Sequence, residues 1–331
     1  MTNSSSLLGC GSPSGAQILA SVLYSFFSVS GTAANLLVIY LVCSFRKLKT
    51  TSNAFIVNGC VSGLLVCAFW MPQETIGISG SLPRPPVYRA FMEGLLFLWM
   101  TVSLLSHSLV ALNRYVLITK APAVYRSVYQ RRHAECMIAT SWLLPLLLLL
   151  PWLLGQGPAT CANVRLFSAP AWQEEAQPAG SYTATLSAVT ILSQTLVLLY
   201  CYSGIFRKVQ VSMKRVSVLN FQVINHLPGA FPRKERRLGF HALFVCCAFV
   251  LSTAPFMWVT FCALLRPVAG GPRAASWLLF CLLFVLDPLI YTCKNEEFRR
   301  SFRCLLRGEL CGKPSAVGVD PAVRTVSQLG P

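Results

Sequence analysis

Long apolar stretches, separated by short polar or basic connectors, make up most of this chain of 331 residues. Each stretch holds roughly 20 residues or more, which as an α-helix is enough to cross the ~30 Å hydrocarbon core of a bilayer. The pattern therefore predicts an all-α membrane protein, a seven-transmembrane helix bundle, with the chain ends on opposite sides of the membrane. The predicted spans, one to seven, are Ile18–Cys43, Ala54–Ile76, Tyr88–Ile118, Cys136–Leu154, Tyr182–Phe206, Leu238–Leu265 and Ala274–Cys293.

The segments around the bundle have patterns of their own. Residues 1–17 are rich in Ser and Gly and predict an extracellular N-terminal tail, followed by the seven-helix domain over 18–293. In residues 294–311 apolar positions recur three and four apart with arginines between them, which predicts a short amphipathic eighth helix on the membrane surface. Residues 312–331 then form a cytoplasmic tail.

Composition and charge agree with a multi-pass membrane protein. The chain is 54% hydrophobic and only 12% charged, which is too apolar for a soluble core of this size. Most of its 28 Lys and Arg residues lie in the connectors after spans one, three, five and seven. By the positive-inside rule these connectors face the cytoplasm and the N-terminus is extracellular, as in a plasma-membrane protein. The formal charge of +17 therefore does not indicate a nucleic-acid partner.

Three kinds of modification are predicted from position. Asn3 begins a glycosylation sequon in the predicted extracellular tail. Of the 14 cysteines, Cys10 and Cys161 are the two that lie clearly outside, while the others are in the membrane or face a reducing cytosol, so these two form the predicted disulfide. Cys304 and Cys311 lie where membrane-surface cysteines are palmitoylated.

Polar residues inside the spans are the candidate functional residues. Asp287 in span seven is an acid within an apolar helix, and such a residue indicates a functional site by default. His107 in span three is interpreted as a hydrogen-bonded interior histidine rather than a proton switch. In span one Gly31 permits close helix approach, and the amide of Asn35 can bond a neighbouring helix. Pro72 should kink span two near its outer end.

The sequence has no constellation typical of an enzyme. It contains no Ser/His/Asp spacing, no His/Cys metal cluster and no Gly-rich phosphate loop, so we expect neither catalysis nor a cofactor. Transporters usually place several charged groups across the midplane and show repeated halves. Here Asp287 stands nearly alone and no repeat is visible, which disfavours a transporter.

Several motifs together resemble those of the rhodopsin-like (class A) G-protein-coupled receptors. They are Asn35 in span one, Arg114-Tyr115 closing span three, Trp142 in span four, Pro255 in span six and Asp-Pro-x-x-Tyr closing span seven. The resemblance covers roughly residues 18–311. It implies a receptor that transmits an extracellular or membrane-borne signal to a heterotrimeric G protein, of the inhibitory class and with basal activity. Arrestin and a receptor kinase are implied as further partners.

The resemblance also implies a switch at the cytoplasmic ends of the spans. Arg114 would be held by an acid at rest and freed when span six swings outward. Asn113 replaces the usual adjacent acid, which leaves Glu235 as the candidate partner; alternatively, Glu235 is only solvated among basic neighbours. The implied switch residues are Arg114, Glu235, Tyr202, Phe249, Pro255, Asp287, Pro288 and Tyr291, and the implied G-protein docking residues are Arg114, Tyr115, Pro122, Tyr125 and Arg236.

The chain departs from the family pattern in the centre of the bundle. The family has a sodium-binding acid in span two where this chain has Gly63, and it more often has Asn where this chain has Asp287. Two readings stay open. In the first, Asp287 with Ser103 and Asn35 forms the polar centre, bound to sodium or protonated, since burial without a cationic partner favours the neutral acid. In the second, the site no longer binds sodium, which weakens a restraint on the inactive state.

The ligand pocket that the resemblance implies is apolar. Leu96 stands where amine receptors have Asp, and span seven has no lysine for a retinal Schiff base. Apolar walls suit a small apolar or lipid-like ligand; the alternative is that outer contacts fill the pocket and no ligand is needed. Arg89, Glu93 and Glu74 are expected toward its mouth. The lining residues would be Leu96, Met100, Phe256, Met257, Trp277 and Phe280.

A function of another class also stays open, that of a non-signalling seven-helix protein that modulates other receptors. Gly63 in place of the span-two acid and Thr253 in place of the usual pocket Trp favour this alternative. A further departure is Gln194, which replaces the usual span-five proline. The two functions differ at Arg114, which signalling needs and a scaffold could spare.

Overall fold

Helices account for nearly all of the residues that the computed structural model describes, which are 15–78, 85–155, 181–222, 231–266, 268–294 and 296–307. Seven helical stretches are long and apolar enough to cross a membrane, so the predicted seven-span bundle is confirmed. The described ranges contain no β-strand. The helices are α1 (Gly15–Ser44), α2 (Thr51–Leu65), α3 (Met71–Ile78), α4 (Pro86–Thr119), α5 (Pro122–Val128), α6 (Arg131–Gly155), α7 (Ser181–Gln222), α8 (Phe231–Leu265), α9 (Gly270–Cys281), α10 (Leu283–Lys294) and α11 (Glu296–Leu306), with a 3₁₀ turn over Arg46–Leu48 and a π turn over Val66–Trp70.

The spans differ in how they are built. Spans one, three, four, five and six are the single helices α1, α4, α6, α7 and α8, whereas span two joins α2 to α3 and span seven joins α9 to α10. Some predicted sites lie outside the described residues. These are Asn3, Cys10, Cys161 and Cys311, and the side chains of Glu235, Arg236 and Tyr291.

Span two contains a π turn immediately before Pro72, at the place where the sequence predicts a kink. The N–H of Met71 bonds to the carbonyl of Val66, five residues back, so the carbonyl of Cys67 is the next acceptor in that pattern. Pro72 has no N–H to donate to it. The hydroxyl of Ser28 in span one donates to this carbonyl instead, at 2.8 Å. The carbonyl of Cys67 could not be hydrogen-bonded by lipid, and its bond to Ser28 joins spans one and two.

Spans one and seven are joined in the same way. Pro288 lies inside α10, so the carbonyl of Phe284, four residues earlier, loses its helical donor. The amide nitrogen of Asn35 donates to that carbonyl at 3.0 Å and to the carbonyl of Gly31 at 2.8 Å. Gly31 also lets span two approach closely, because a Cβ there would overlap Sγ of Cys67. The predicted roles of Gly31 and Asn35 are therefore confirmed.

Asn58 ties spans two, three and four together. Its Nδ2 donates to the hydroxyl oxygens of Ser106 at 2.8 Å and Ser141 at 3.0 Å. Its Oδ1 accepts a hydrogen bond from Nε1 of Trp142 at 2.8 Å. Asn58 and both serines are buried, so these bonds replace contacts that water would otherwise supply.

The predicted eighth helix is α11, which packs at the end of the bundle against α1, α10 and the 3₁₀ turn. Phe298 is completely buried in a cluster that includes Leu48, Phe55 and Tyr129, whereas the arginines of this helix are exposed. Cys304, a predicted palmitoylation site, is half-buried on the same helix.

Replacement of Asn58 by Ala should destabilise the bundle. In this variant the N–H of Trp142 loses its acceptor, which is the main cost. The hydroxyls of Ser106 and Ser141 lose less, because each still donates to a carbonyl of its own helix. Since a buried donor without an acceptor costs about 1–3 kcal/mol, we expect the free energy of unfolding to fall by about that amount. Thermal unfolding of the purified protein in detergent measures it.

The matched control is Thr140→Ala, also in the bundle helices. Thr140 is exposed and its hydroxyl bonds only to the carbonyl of Cys136 in its own helix. We expect a change within about 0.5 kcal/mol there. Equal shifts in the two variants would contradict the bridging role of Asn58.

Candidate functional site

The centre of the bundle holds a contact between His107 of span three and Asp287 of span seven. Nε2 of His107 lies 2.7 Å from Oδ2 of Asp287, and the two side chains are 7% and 15% exposed. The sequence indicates no neighbouring partner for Asp287, whereas the structure places the imidazole of His107 against its carboxyl group. The interpretation of His107 as a hydrogen-bonded interior histidine is confirmed.

The ring orientation of His107 is fixed within span three. Nδ1 lies 2.7 Å from the carbonyl oxygen of Ser103, and since a carbonyl can only accept, Nδ1 carries a hydrogen. At 2.7 Å, the lone pairs of Nε2 and of a carboxylate oxygen would repel unless a proton lay between them. The pair therefore holds a proton, either as imidazolium with carboxylate or as imidazole with carboxylic acid.

In the ion-pair form, the imidazolium and the carboxylate attract each other electrostatically across 2.7 Å. In a bundle interior of low dielectric such an attraction is stronger than at a surface.

A small cavity lies beside this pair. Its volume is about 10 Å³, which is room for about one water molecule, and Asn35, Ser103 and Gly63 are among the residues that line it. A Cβ at Gly63 would lie 3.0 Å from Oδ1 of Asn35. Asn35 therefore occupies the space toward which a side chain at position 63 would point.

Sodium binding by Asp287 and Ser103 stays a prediction. The carboxylate that would bind the ion is already in contact with His107. Within the described ranges no group of three or more His, Cys, Asp or Glu residues could hold a metal ion.

The pair also contacts span six through Phe249. The ring centroids of His107 and Phe249 lie 5.8 Å apart, and Phe249 is almost completely buried. One turn of span three thus contacts both spans six and seven. The neighbouring Ser108 donates a hydrogen bond to Oε1 of Gln194 in span five, so the residue that replaces the expected proline links spans three and five.

Arg114 is half-buried near the C-terminal end of span three. Tyr202 of span five is buried and lies within electrostatic reach of its charge. The structure therefore brings together two of the predicted switch residues. The side chain of Glu235, the predicted resting partner of Arg114, is outside the described residues, so that pairing stays a prediction.

Tyr115 packs against span five. Its ring centroid lies 5.5 Å from that of Tyr200, with the rings tilted by 51°. Gly204 makes the approach possible, since a Cβ there would lie 2.5 Å from Cε2 of Tyr115. In this arrangement the predicted docking residue Tyr115 is part of the contact between spans three and five.

The connector helix α5, which carries the predicted docking residues Pro122 and Tyr125, is attached to span three by Asn113. Nδ2 of Asn113 donates to the hydroxyl of Tyr125 at 3.3 Å. The Tyr125 ring lies 5.1 Å from that of Tyr129, which packs edge-on against Phe55 of span two at 6.1 Å. Burial, with a smaller contribution from Tyr125, raises the pKa of Tyr129 to about 12, so Tyr129 stays neutral at physiological pH.

The residues predicted to line a ligand pocket form a packed aromatic cluster. Trp277 and Phe280 stack at 5.4 Å, Phe256 lies 5.1 Å from Trp277, and Trp70 of span two meets Trp277 edge-on at 5.6 Å. Leu96, Met100 and Phe280 are completely buried, and Met257 is partly buried against the same cluster. This arrangement agrees with the alternative that side chains fill the space, and the pocket itself stays a prediction.

Glu93, expected toward the mouth of the pocket, is 3% exposed in span three. Its position at a pocket mouth stays a prediction. Its burial could not be predicted from hydropathy, which does not specify which face of a helix a single acid occupies.

Comparison with known proteins identifies the family. The pattern described as "7 transmembrane receptor (rhodopsin family)" matches residues 34–301, so the chain belongs to this family of multi-pass membrane receptors, which are not enzymes. It is 28% identical over 198 residues to the G-protein coupled receptor moody of Drosophila melanogaster, which covers 60% of this chain and 29% of that protein. The chain thus spans under a third of that relative's length.

Two other relatives match over most of their length. Somatostatin receptor type 5 of Rattus norvegicus is 27% identical over 339 residues, covering 96% of this chain and 86% of that receptor. Pinopsin of Columba livia is 24% identical over 309 residues, covering 91% of this chain and 83% of pinopsin.

Replacement of Gly204 by Ala should disturb the contact between spans three and five. The new methyl group would force the ring of Tyr115 to move, and such overpacking costs about 1–3 kcal/mol. We expect a lower unfolding midpoint in detergent. Gly271→Ala is the matched control because a Cβ there meets nothing within 4 Å, and a change within about 0.5 kcal/mol is expected. Equal stability of the two variants would contradict the close approach.

Proposed function

We propose that this chain is a plasma-membrane receptor that activates a heterotrimeric G protein, of the inhibitory class, with basal activity in the absence of ligand. The observation that carries the proposal is the environment of Arg114. This arginine lies half-buried at the end of span three beside Tyr202, and its neighbour Asn113 is an uncharged amide. A guanidinium has five donors in a fixed geometry, which suits the backbone carbonyls of a docked partner.

We attribute the basal activity to a weaker restraint on that arginine than the family's adjacent acid would give. In the family the residue before the arginine is an acid that holds it at rest. Here the Asn113 amide bonds Tyr125 of the connector helix and supplies no charge. The resting state therefore lacks one attraction that would have to be broken before span six moves.

The orientation of the bundle is proposed from its charges. The basic connectors after spans one, three and five and the basic α11 face the cytoplasm, where a G protein binds, and the N-terminus is extracellular. Pro122 and Tyr125 on α5, with Arg236 at the foot of span six, then belong to the docking surface around Arg114. The same surface is proposed to receive arrestin and a receptor kinase.

The inhibitory class is proposed from a closer resemblance. The stretches RKLKTTSNAFIVNGC, TVSLLSHSLVALNRY, KRVSVLN and NEEFRRS resemble the striatum-enriched brain orphan receptor. We infer that this chain is that receptor or a paralogue of it. Coupling to the inhibitory G protein is the function that this resemblance suggests.

The first test is ligand-free activation of the inhibitory G protein in cells, comparing the native chain with Arg114→Ala at matched surface levels. If the guanidinium makes charge-assisted hydrogen bonds to the G protein, its loss should reduce the basal signal by about tenfold or more. Arg131→Ala is the matched control. Arg131 is an exposed cytoplasmic-end arginine that pairs only with Glu135 one turn along, and its removal should leave the signal unchanged.

The outcome separates the two functional classes. Loss of signal with Arg114→Ala alone supports a signalling receptor. If the native chain and both variants are silent with every G protein tested, basal signalling is excluded, and a non-signalling partner of other receptors gains support. An equal signal from native chain and Arg114→Ala would contradict the role given to Arg114.

A second test restores the charge that the chain lacks beside Arg114. Asn113→Asp places a carboxylate next to the guanidinium, and its attraction should lower the basal signal by about 3–10-fold if the resting state gains roughly 1 kcal/mol. Asn113→Ala removes the bond to Tyr125 without adding charge and separates the two effects. Equal basal signal from Asn113→Asp and the native chain would contradict the weak restraint.

A further inference from the structure

We propose that His107 and Asp287 form an interhelical lock, in which the contact between imidazole and carboxyl group holds span seven against span three in the resting state. The inference deepens the proposed function by naming a restraint within the same receptor. The lock itself is a structural property that can be measured without any signalling assay.

A hydrogen bond within span three fixes the ring orientation of His107 in the lock. The Nδ1–H of His107 is held by the Ser103 carbonyl at 2.7 Å, so the ring cannot turn without losing that bond. Nε2 is thereby presented to Oδ2 of Asp287, also at 2.7 Å. The His107 side chain is thus pre-oriented by its own helix, so forming the contact with Asp287 costs little additional side-chain entropy.

The lock matters because it adds a polar link to the apolar packing of spans three and seven. In the described ranges the backbone of span three lies closest to spans two, four and five, and that of span seven to spans one, two and six. Side chains of spans three and seven belong to the same apolar cluster, and the contact between His107 and Asp287 joins these two spans through polar groups. Removing one partner would leave the other buried without compensation.

Other groups near the pair do not offer a substitute link. Asn35 already donates to the carbonyls of Gly31 and Phe284. The hydroxyl of Ser106 donates within span three and accepts from Asn58. Cys60 lines the same cavity as Asp287 and is buried, and its thiol is not a cationic group.

Phe249 connects the lock to the moving part of the receptor. Its ring covers the imidazole of His107 at 5.8 Å. Outward movement of span six would carry Phe249 away and admit water to the pair. Water weakens a charge interaction that was formed in a low dielectric, so opening of span six and release of span seven favour one another.

The test is a double-mutant cycle on the full-length protein, with His107→Leu, Asp287→Leu and the variant carrying both changes. Each single change strands a buried polar partner, and we expect the unfolding midpoint in detergent to fall by about 5–10 °C. The double variant replaces both partners by apolar groups and should recover to within about 3 °C of the native midpoint. His133→Leu, which alters an exposed histidine whose Nδ1 lies against the backbone carbonyls of Ser127 and Val128, controls for loss of a histidine.

The result that overturns the lock is additivity, in which the double variant loses the sum of the two single shifts. If a single variant does not reach the cell surface, surface expression replaces the midpoint as the measure. Recovery of expression in the double variant then supports the lock, and absence of recovery overturns it.

The basal signal is a second readout, and a merely structural contact would not change it. At matched surface levels, release of the lock should raise the basal signal at least about twofold in each single variant, since the resting state loses stability relative to the active state. An unchanged or lower signal, with the native chain active, overturns the lock as a restraint. If every chain is silent, the G-protein proposal fails while the thermal cycle still decides the lock.

Discussion

In hydrocarbon a polar group has no water to bond, and this constraint determines how the spans of this receptor are joined. Each polar group in the bundle has to find its partner in the protein, and the nearest available partner is often on another helix. Asn58 satisfies its amide with groups on two neighbouring spans. The carbonyls left open by Pro72 and Pro288 are satisfied by Ser28 and Asn35 of span one. The helices are therefore connected at a small number of defined points, with apolar packing between them.

Such connections make the arrangement specific as well as stable. Apolar side chains can slide past one another at small cost, whereas a donor that loses its acceptor in lipid has no substitute. A helix that carries a proline also has a weak point where its own ladder is interrupted. In spans two and seven, side chains of span one bond the carbonyls that the prolines leave open. The helical segments on either side of each proline can therefore change direction without leaving a carbonyl unsatisfied. This combination of local weakness and external support is suited to a protein that changes shape.

The sequence predicts the parts of this structure that depend on composition and near-neighbour spacing. Seven apolar stretches predicted seven spans, Gly31 and Asn35 predicted a close helix contact, and the spacing around Phe298 predicted the surface helix. The sequence could not predict which residues meet across the bundle, because hydropathy does not fix the rotation of each helix about its axis. His107 and Asp287 are 180 positions apart in sequence, and nothing local indicates that one faces the other. Glu93 illustrates the same limit, since hydropathy does not indicate that this acid is buried within its span.

The residues at the centre of the bundle are chemically consistent with one another. An acid in span two would need space that Asn35 occupies beside Gly63, so the carboxylate cannot simply be restored there. A carboxylate at Asp287 would by itself be an uncompensated charge in the bundle, which calls for a cation or a proton. His107 supplies the proton from the protein, and the pair as a whole then has no net charge. A neutral pair does not need an ion from solution. The resting state of this receptor is consequently expected to depend on a contact between two of its own side chains, and its strength is set by how tightly spans three, six and seven pack around that contact.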